Sequence, residues 1–259
     1  MKYSTPILAD FPERVYSGVT LGWDIFREAS ASLITAKLYP LGMLEKRFPI
    51  IPSWSRRDQA VPILFIHGIF HNWTAFTYMA QRLAWDGWSD FYEIRLFTSV
   101  ESIPKMAKRT AAHAHAILKE TGAPQIDIVA HSMGGIVARY FVQLLGGDRI
   151  VRHLITLGTP HQGTPVSNYS PLPHIKKLAP ESQILQKLNA LPAPSQTQGL
   201  AIRGKLDLFT QNGAGWWPGV RNVELGRVGH AGLLFSRRVY HLLSARISDD
   251  LGHSVPRVV

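Results

Sequence analysis

The sequence predicts an α/β protein built on an open, mostly parallel sheet of about six strands flanked by helices. Three observations carry that reading. From Val61 onward short apolar runs alternate with longer stretches of helical period, the pattern of βα units feeding a parallel sheet. One of those runs passes directly into a Ser-Met-Gly-Gly turn and then into an amphipathic helix. The 259 residues, 46% of them apolar, are enough for a substantial core and exclude a disordered chain.

The candidate strands are Pro62–Ile66, Tyr92–Phe97, Ile126–His131, Arg152–Leu157, Leu200–Arg203 and Val220–Leu225. Each is a short apolar run bounded by turn residues. Between them the 3.6-residue period predicts helices at Trp73–Trp85, Ile103–Glu120, Met133–Leu145, Glu181–Leu188 and Ala231–Ala245. In the third of these Ile136, Val137, Tyr140, Phe141, Leu144 and Leu145 form one stripe, and Gly146-Gly147 stops it. The stretch from Pro165 to Gln198 carries five more prolines after the first and reads as a small cap or lid insertion, either movable or packed.

Residues 1–60 read as a helical extension and linker ahead of a catalytic domain over 61–259. Asp10, Pro12 and Glu13 break the apolar run a secretory signal needs, so no cleavable signal is recognised and a cytoplasmic or peripheral membrane location is expected. Between Val19 and Leu38 apolar residues are interrupted by Asp24, Arg27 and Glu28, which disfavours a spanning helix and fits an amphipathic one. Such a helix either lies on a membrane surface or packs its apolar side on the protein's own core; the second is the commoner behaviour. Pro40, Pro49, Pro52 and the polar run 53–59 read as the linker.

The chain has no cysteine, which excludes disulfides, thiolate metal sites and a cysteine nucleophile. Its net charge of +10 is spread over short pairs such as Arg56-Arg57 and Lys176-Lys177, with no nucleic-acid module, so no nucleic-acid partner is expected. A positive field of this size favours anionic surfaces.

In an open α/β sheet ligands sit at the carboxyl ends of the strands. There the strand Ile126–His131 runs into Ser132, Met133, Gly134 and Gly135. A serine on such a turn is pushed out over the sheet edge, provided that the residues two before and two after are small; Ala130 and Gly134 meet that condition. The plain alternative is a helix-capping serine. A serine hydroxyl needs a base to take its proton and a carboxylate to hold that base. Of the four acids between Ser132 and Gly229 (Asp148, Glu181, Asp207 and Glu224), only Asp207 lies just past the carboxyl end of a candidate strand. Of eleven histidines, His230 sits in a glycine-flanked loop after the last strand, where the base of such a site belongs. Backbone N–H groups for an oxyanion come from Met133 and, through the His67-Gly68 turn after the first strand, from Ile69.

With His67-Gly68, Ala130-His-Ser-Met-Gly134, Thr156-Leu-Gly-Thr-Pro-His-Gln-Gly-Thr164, Asp207 and Gly229-His230 in this order, residues 61–245 resemble a bacterial lipase or esterase of the α/β-hydrolase superfamily. The Ala130 position departs from the usual glycine, a form that some bacterial lipases share. The resemblance implies the α/β-hydrolase fold, a Ser132–His230–Asp207 triad, an oxyanion hole at Ile69 and Met133, and hydrolysis of lipid-like acyl esters through an acyl-enzyme. Acyl transfer to water needs no cofactor and no metal. A thioesterase or acyltransferase with the same triad, or a non-catalytic membrane-associated scaffold, are the alternatives. Phe70, Trp73, Trp216, Trp217, Leu233 and Leu234 are candidates for the acyl pocket, because they fall in loops or helix starts near the expected site.

Overall fold

The computed structural model describes residues 18–40, 42, 61–98 and 100–248. Expectations for residues 1–17 and for the linker at 49–59 lie outside the described residues.

Six strands form one sheet: β1 (Ile63–Ile66), β2 (Phe91–Ile94), β3 (Ile126–His131), β4 (Val151–Leu157), β5 (Gln198–Gly204) and β6 (Arg221–Leu225). Their order across the sheet is β2-β1-β3-β4-β5-β6, and every neighbouring pair is parallel. The central strands β1, β3 and β4 are buried on both faces, which is why they read as near-continuous apolar runs. Side-chain alternation then sorts the helices. Leu64 and Ile66 of β1, with Ile128 and Ala130 of β3, pack into one layer with α3 (Ile103–Thr121) and α4 (Met133–Leu144). Ile63, Phe65 and Val129 point the other way, onto α2 (Thr77–Trp85) and α7 (Arg237–Ser248).

The capping chemistry agrees with these bounds. The Ser102 hydroxyl accepts from the Lys105 amide at the start of α3, and Gly122 ends that helix in the left-handed conformation, φ 70°. The expected helices at Trp73–Trp85 and Ala231–Ala245 each open as a 3-10 turn, Trp73–Phe76 and Gly232–Phe235, before α2 and α7 begin. In the Pro165–Gln198 stretch, α5 (Pro173–Lys176) is one turn and α6 (Gln183–Asn189) packs firmly: Leu185 and Leu188 are fully buried. The Arg139 guanidinium of α4 donates to the Leu188 carbonyl and to the Asn189 side chain, both at 2.8 Å. The α6 part of this stretch is therefore packed on the core.

Helix α1 (Gly18–Leu38) corrects the expectation that its apolar side packs on the core. Its buried residues are Asp24, Ala31 and Thr35, while Trp23, Ile25, Phe26, Leu33 and Ile34 are exposed. It docks through its polar stripe. Asp24 pairs with Arg227 at 3.2 Å, and the Glu28 carboxylate accepts the Ala231 and Gly232 amides at 2.6 and 2.9 Å. At the far end the Asn72 side chain donates to the Tyr39 carbonyl at 2.8 Å. The helix thus straps two loops, 68–74 and 227–232, that rise from the carboxyl edge of the sheet. Among the described residues no helix is long and apolar enough to cross a membrane.

Candidate active site

Strand β3 delivers Ser132 to the sheet edge on a sharp turn. Its backbone sits at φ 55°, ψ −128°, a conformation that L-residues rarely adopt and that the surrounding packing imposes. The Ser132 amide donates to the Leu157 carbonyl at 2.9 Å, and Thr159 Oγ1 donates to the Ser132 carbonyl at 2.9 Å, so strand β4 and the loop after it hold the turn from below. The small residues are required by close approach. A Cβ at Gly134 would fall 2.5 Å from the Ile66 carbonyl oxygen, and one at Gly68 2.8 Å from the Ser132 Cβ. Ala130 is accommodated in full burial.

Asp207 and His230 come together at the neighbouring strand ends. His230 Nδ1 lies 2.8 Å from Asp207 Oδ2. Asp207 is completely buried, and its other oxygen accepts the Phe209 amide at 2.9 Å, so the carboxylate is fixed by two partners. Acceptance by the carboxylate places the proton on Nδ1 and leaves Nε2 as the basic nitrogen. The His230 ring packs against Phe209 and His131, both with ring centroids 4.6 Å away. His131 Nε2 donates to the His230 carbonyl at 3.2 Å.

Three further histidines surround this pair, and their charge states matter. Burial, with the neighbouring His230 and His71 adding to it, holds His131 well below the usual histidine range. Burial also lowers His71 and His67, each to about 4. These rings are neutral near pH 7 and put no fixed positive charge beside His230. His67 holds the backbone in place. Its Nε2 accepts the Leu96 amide at 3.1 Å and its Nδ1 donates to the Gly68 carbonyl at 2.8 Å, pinning the loop that carries Ile69.

Ser132 and His230 line one cavity of about 610 Å³, with Ile69 on its wall. That volume falls in the range of small-molecule sites. Met133 is the first residue of α4, where helical N–H groups lack intrahelical acceptors. Of the six acyl-pocket candidates only Phe70 lines the cavity. Trp217, Leu233 and Leu234 are fully buried in the core; Trp217 stacks on His161 at 4.8 Å under the Arg139 guanidinium. Trp73 and Trp216 also lie off the cavity wall, Trp216 with its carbonyl taken by Gln162. The apolar wall instead comes from Ile175, Leu178, Phe209 and Ala231, closed by Ser32 and Ala36 of α1 and by Tyr39 just past its end. Leu178 escapes a reading of the sequence because it lies in the turn after the single-turn helix α5, where no periodicity marks a face. No group of three or more metal-ligating side chains is present among the described residues.

Residues 44–172 match a family described as a domain of unknown function, DUF7379. Over 115 residues the chain is 25% identical to triacylglycerol lipases of Pseudarthrobacter phenanthrenivorans and Burkholderia plantarii, matches covering 42% of this chain and 35% and 32% of theirs. The chain spans about a third of the length of these curated relatives. Among solved structures, the mature lipase BlEst2 of Bacillus licheniformis superposes with a TM-score of 0.65 at 18% identity, over 74% of this chain and 94% of that one. Aspergillus fumigatus lipase B gives 0.64 at 15% identity over 77% and 55%. An α/β-hydrolase from a lagoon-sediment metagenome of Mar Chica, Morocco, gives 0.55 at 17% identity over 76% and 94%. The chain has the α/β-hydrolase fold, and bacterial lipases and esterases are among its structural neighbours.

Proposed function

We propose that the protein is a serine ester hydrolase of lipase or esterase type, acting on lipid-like acyl esters. The observation that carries this reading is the buried Asp207 carboxylate 2.8 Å from His230 Nδ1, with His230 and a backbone-strained Ser132 opening into the same largely apolar cavity. The similarity to proteins described as triacylglycerol lipases supports it.

In this reading His230 Nε2 takes the Ser132 Oγ proton as the oxygen attacks the ester carbonyl carbon. The carbonyl π electrons move to oxygen, and the resulting oxyanion accepts the backbone N–H groups of Ile69 and Met133. Collapse of this intermediate breaks the bond to the alcohol oxygen, which leaves with the proton from His230. Water then gives a proton to Nε2 and attacks the acyl-serine; the second collapse returns the proton to Oγ and frees the acid. Asp207 keeps Nδ1 protonated throughout and stabilises the imidazolium. Because His71 and His131 stay neutral, that imidazolium faces no competing cation from them.

The test is labelling by a fluorophosphonate probe together with a panel of p-nitrophenyl esters of rising chain length. Labelling and turnover are expected in the wild-type chain and absent in Ser132→Ala. A folded wild-type chain that neither labels nor hydrolyses any ester refutes the proposal, and a marked preference for thioesters over matched oxyesters redirects it to a thioesterase.

A further inference from the structure

Helix α1 carries its polarity the wrong way round for a helix that serves only the interior. Its outer stripe holds Trp23, Phe26 and Leu33, which are 60%, 61% and 56% exposed and, at spacings of one and then two helical turns, share one helical face. The charges are sorted in the same sense. Both acids of the helix, Asp24 and Glu28, are turned to the protein and engaged there by Arg227 and by the Ala231 and Gly232 amides. Both cations, Arg27 and Lys37, are exposed. The surface offered to solvent is thus apolar and cationic without an acidic side chain from this helix.

We infer that this face of α1 docks on an anionic lipid surface. Charge decides between lipid and a second copy of the chain. Two copies meeting through this face would press Arg27 and Lys37 of each against a partner that itself carries +10, whereas an anionic headgroup layer attracts both the helix and the net field behind it. Aromatic and aliphatic side chains on one side of a helix, edged by cations, are the composition that seats in the boundary between headgroups and acyl chains. The same helix lines the cavity through Ser32 and Ala36, with Tyr39 just past its end, and two aromatic residues of the cavity lining, Tyr39 and Phe70, are 38% and 55% exposed. Docking α1 therefore sets the cavity beside the lipid phase. That last step rests on the ester-hydrolase reading and narrows its substrate to water-insoluble esters; docking itself does not depend on it.

The full-length chain is sedimented with vesicles of phosphatidylcholine alone and of phosphatidylcholine mixed with phosphatidylglycerol, at low and high salt. Binding to the mixed vesicles, weakened by salt, is the expected result. Trp23→Ser/Leu33→Ser should reduce partitioning at least about tenfold, and Arg27→Glu/Lys37→Glu should abolish the preference for anionic lipid. Hydrolysis of a soluble p-nitrophenyl ester should stay within about twofold in both variants, since these exposed side chains lie off the cavity. The charge-reversal variant carries the test if the first variant does not fold. Wild-type chain that ignores both vesicle types, or variants that bind as before, overturn the inference. So does a wild-type dimer in light scattering that Trp23→Ser/Leu33→Ser dissociates while vesicle binding is unchanged. Absent ester hydrolysis with vesicle binding intact counts against the proposed function alone.

Discussion

Removing the Glu28 side chain tests whether α1 belongs to the site. In Glu28→Ala the amides of Ala231 and Gly232 lose an acceptor at 2.6 and 2.9 Å, immediately behind His230. Hydrogen bonds to a charged acceptor contribute about 1.5–3 kcal/mol each, but this carboxylate is only half buried and water replaces part of the loss. A net cost of about 2 kcal/mol is therefore reasonable for the pair; falling wholly on the placement of His230, it corresponds to about 30-fold in kcat/KM. A loop displaced by even a small distance affects proton transfer more than ester binding, so the loss should appear in kcat. The assay is steady-state hydrolysis of a soluble p-nitrophenyl ester, with thermal melting alongside, where the same cost lowers Tm by about 4–8 °C. Glu28→Gln, which retains one acceptor oxygen, should fall between the two proteins. A variant whose Tm drops while kcat/KM holds within about twofold would refute the reasoning, because Glu28 would then tie the helix down without positioning the histidine.

Three other outcomes follow from the geometry. Asp207→Asn replaces an acceptor of the His230 Nδ1 proton with an amide able to present N–H, favouring the wrong tautomer; kcat should fall by about 10³–10⁴-fold with little change in KM. Ser132→Gly should abolish activity yet raise stability in urea denaturation by about 1–2 kcal/mol, because glycine adopts φ 55° without strain; a lower midpoint would show that the turn is not strained. Stability should fall with acid: the unfolded chain protonates His67 below about 6.5 while the native state resists down to about 4, so the contribution is full above about pH 6.5 and is lost progressively between there and pH 4. For His67 alone the loss is at most about 3 kcal/mol, and the urea midpoint of His67→Gln should depend less steeply on pH over that window.

Much of the sheet and the Ser132, Asp207 and His230 positions were legible because each is announced locally. The strand Ile126–His131 appears with the bounds read from sequence, since an apolar run followed by a small-residue turn and an amphipathic helix has few other solutions. Asp207 and His230 could be placed because both follow strand ends at the same edge of the sheet. The apolar wall of the cavity was not legible in this way. Trp217 and Leu234 satisfy every local criterion for a pocket residue, and the structure places them in the core, where large apolar side chains go by default. Ile175 and Leu178 sit ahead of the helix expected at Glu181–Leu188, among residues 165–180, where proline content is the only strong signal.

The inverted orientation of α1 has a more general cause. A hydrophobic stripe shows that a helix has two unlike sides, but not which of them the rest of the chain can satisfy. Here the polar side won because partners about two hundred positions away were ready for it: the Arg227 guanidinium for Asp24 and two consecutive backbone amides for Glu28. Burying a carboxylate is costly unless its oxygens are matched, and Gly229 is what lets Glu28 come close enough, since a Cβ there would fall 2.4 Å from its Oε2. The glycine read in the sequence as a flank for the catalytic base is therefore also the seat of a carboxylate from the other end of the chain. A Gly229→Ala substitution should consequently weaken the α1 attachment and the His230 placement together, read as faster proteolysis within α1 and a lower kcat in that one variant; faster proteolysis with kcat held within about twofold would mean that the helix merely covers the cavity.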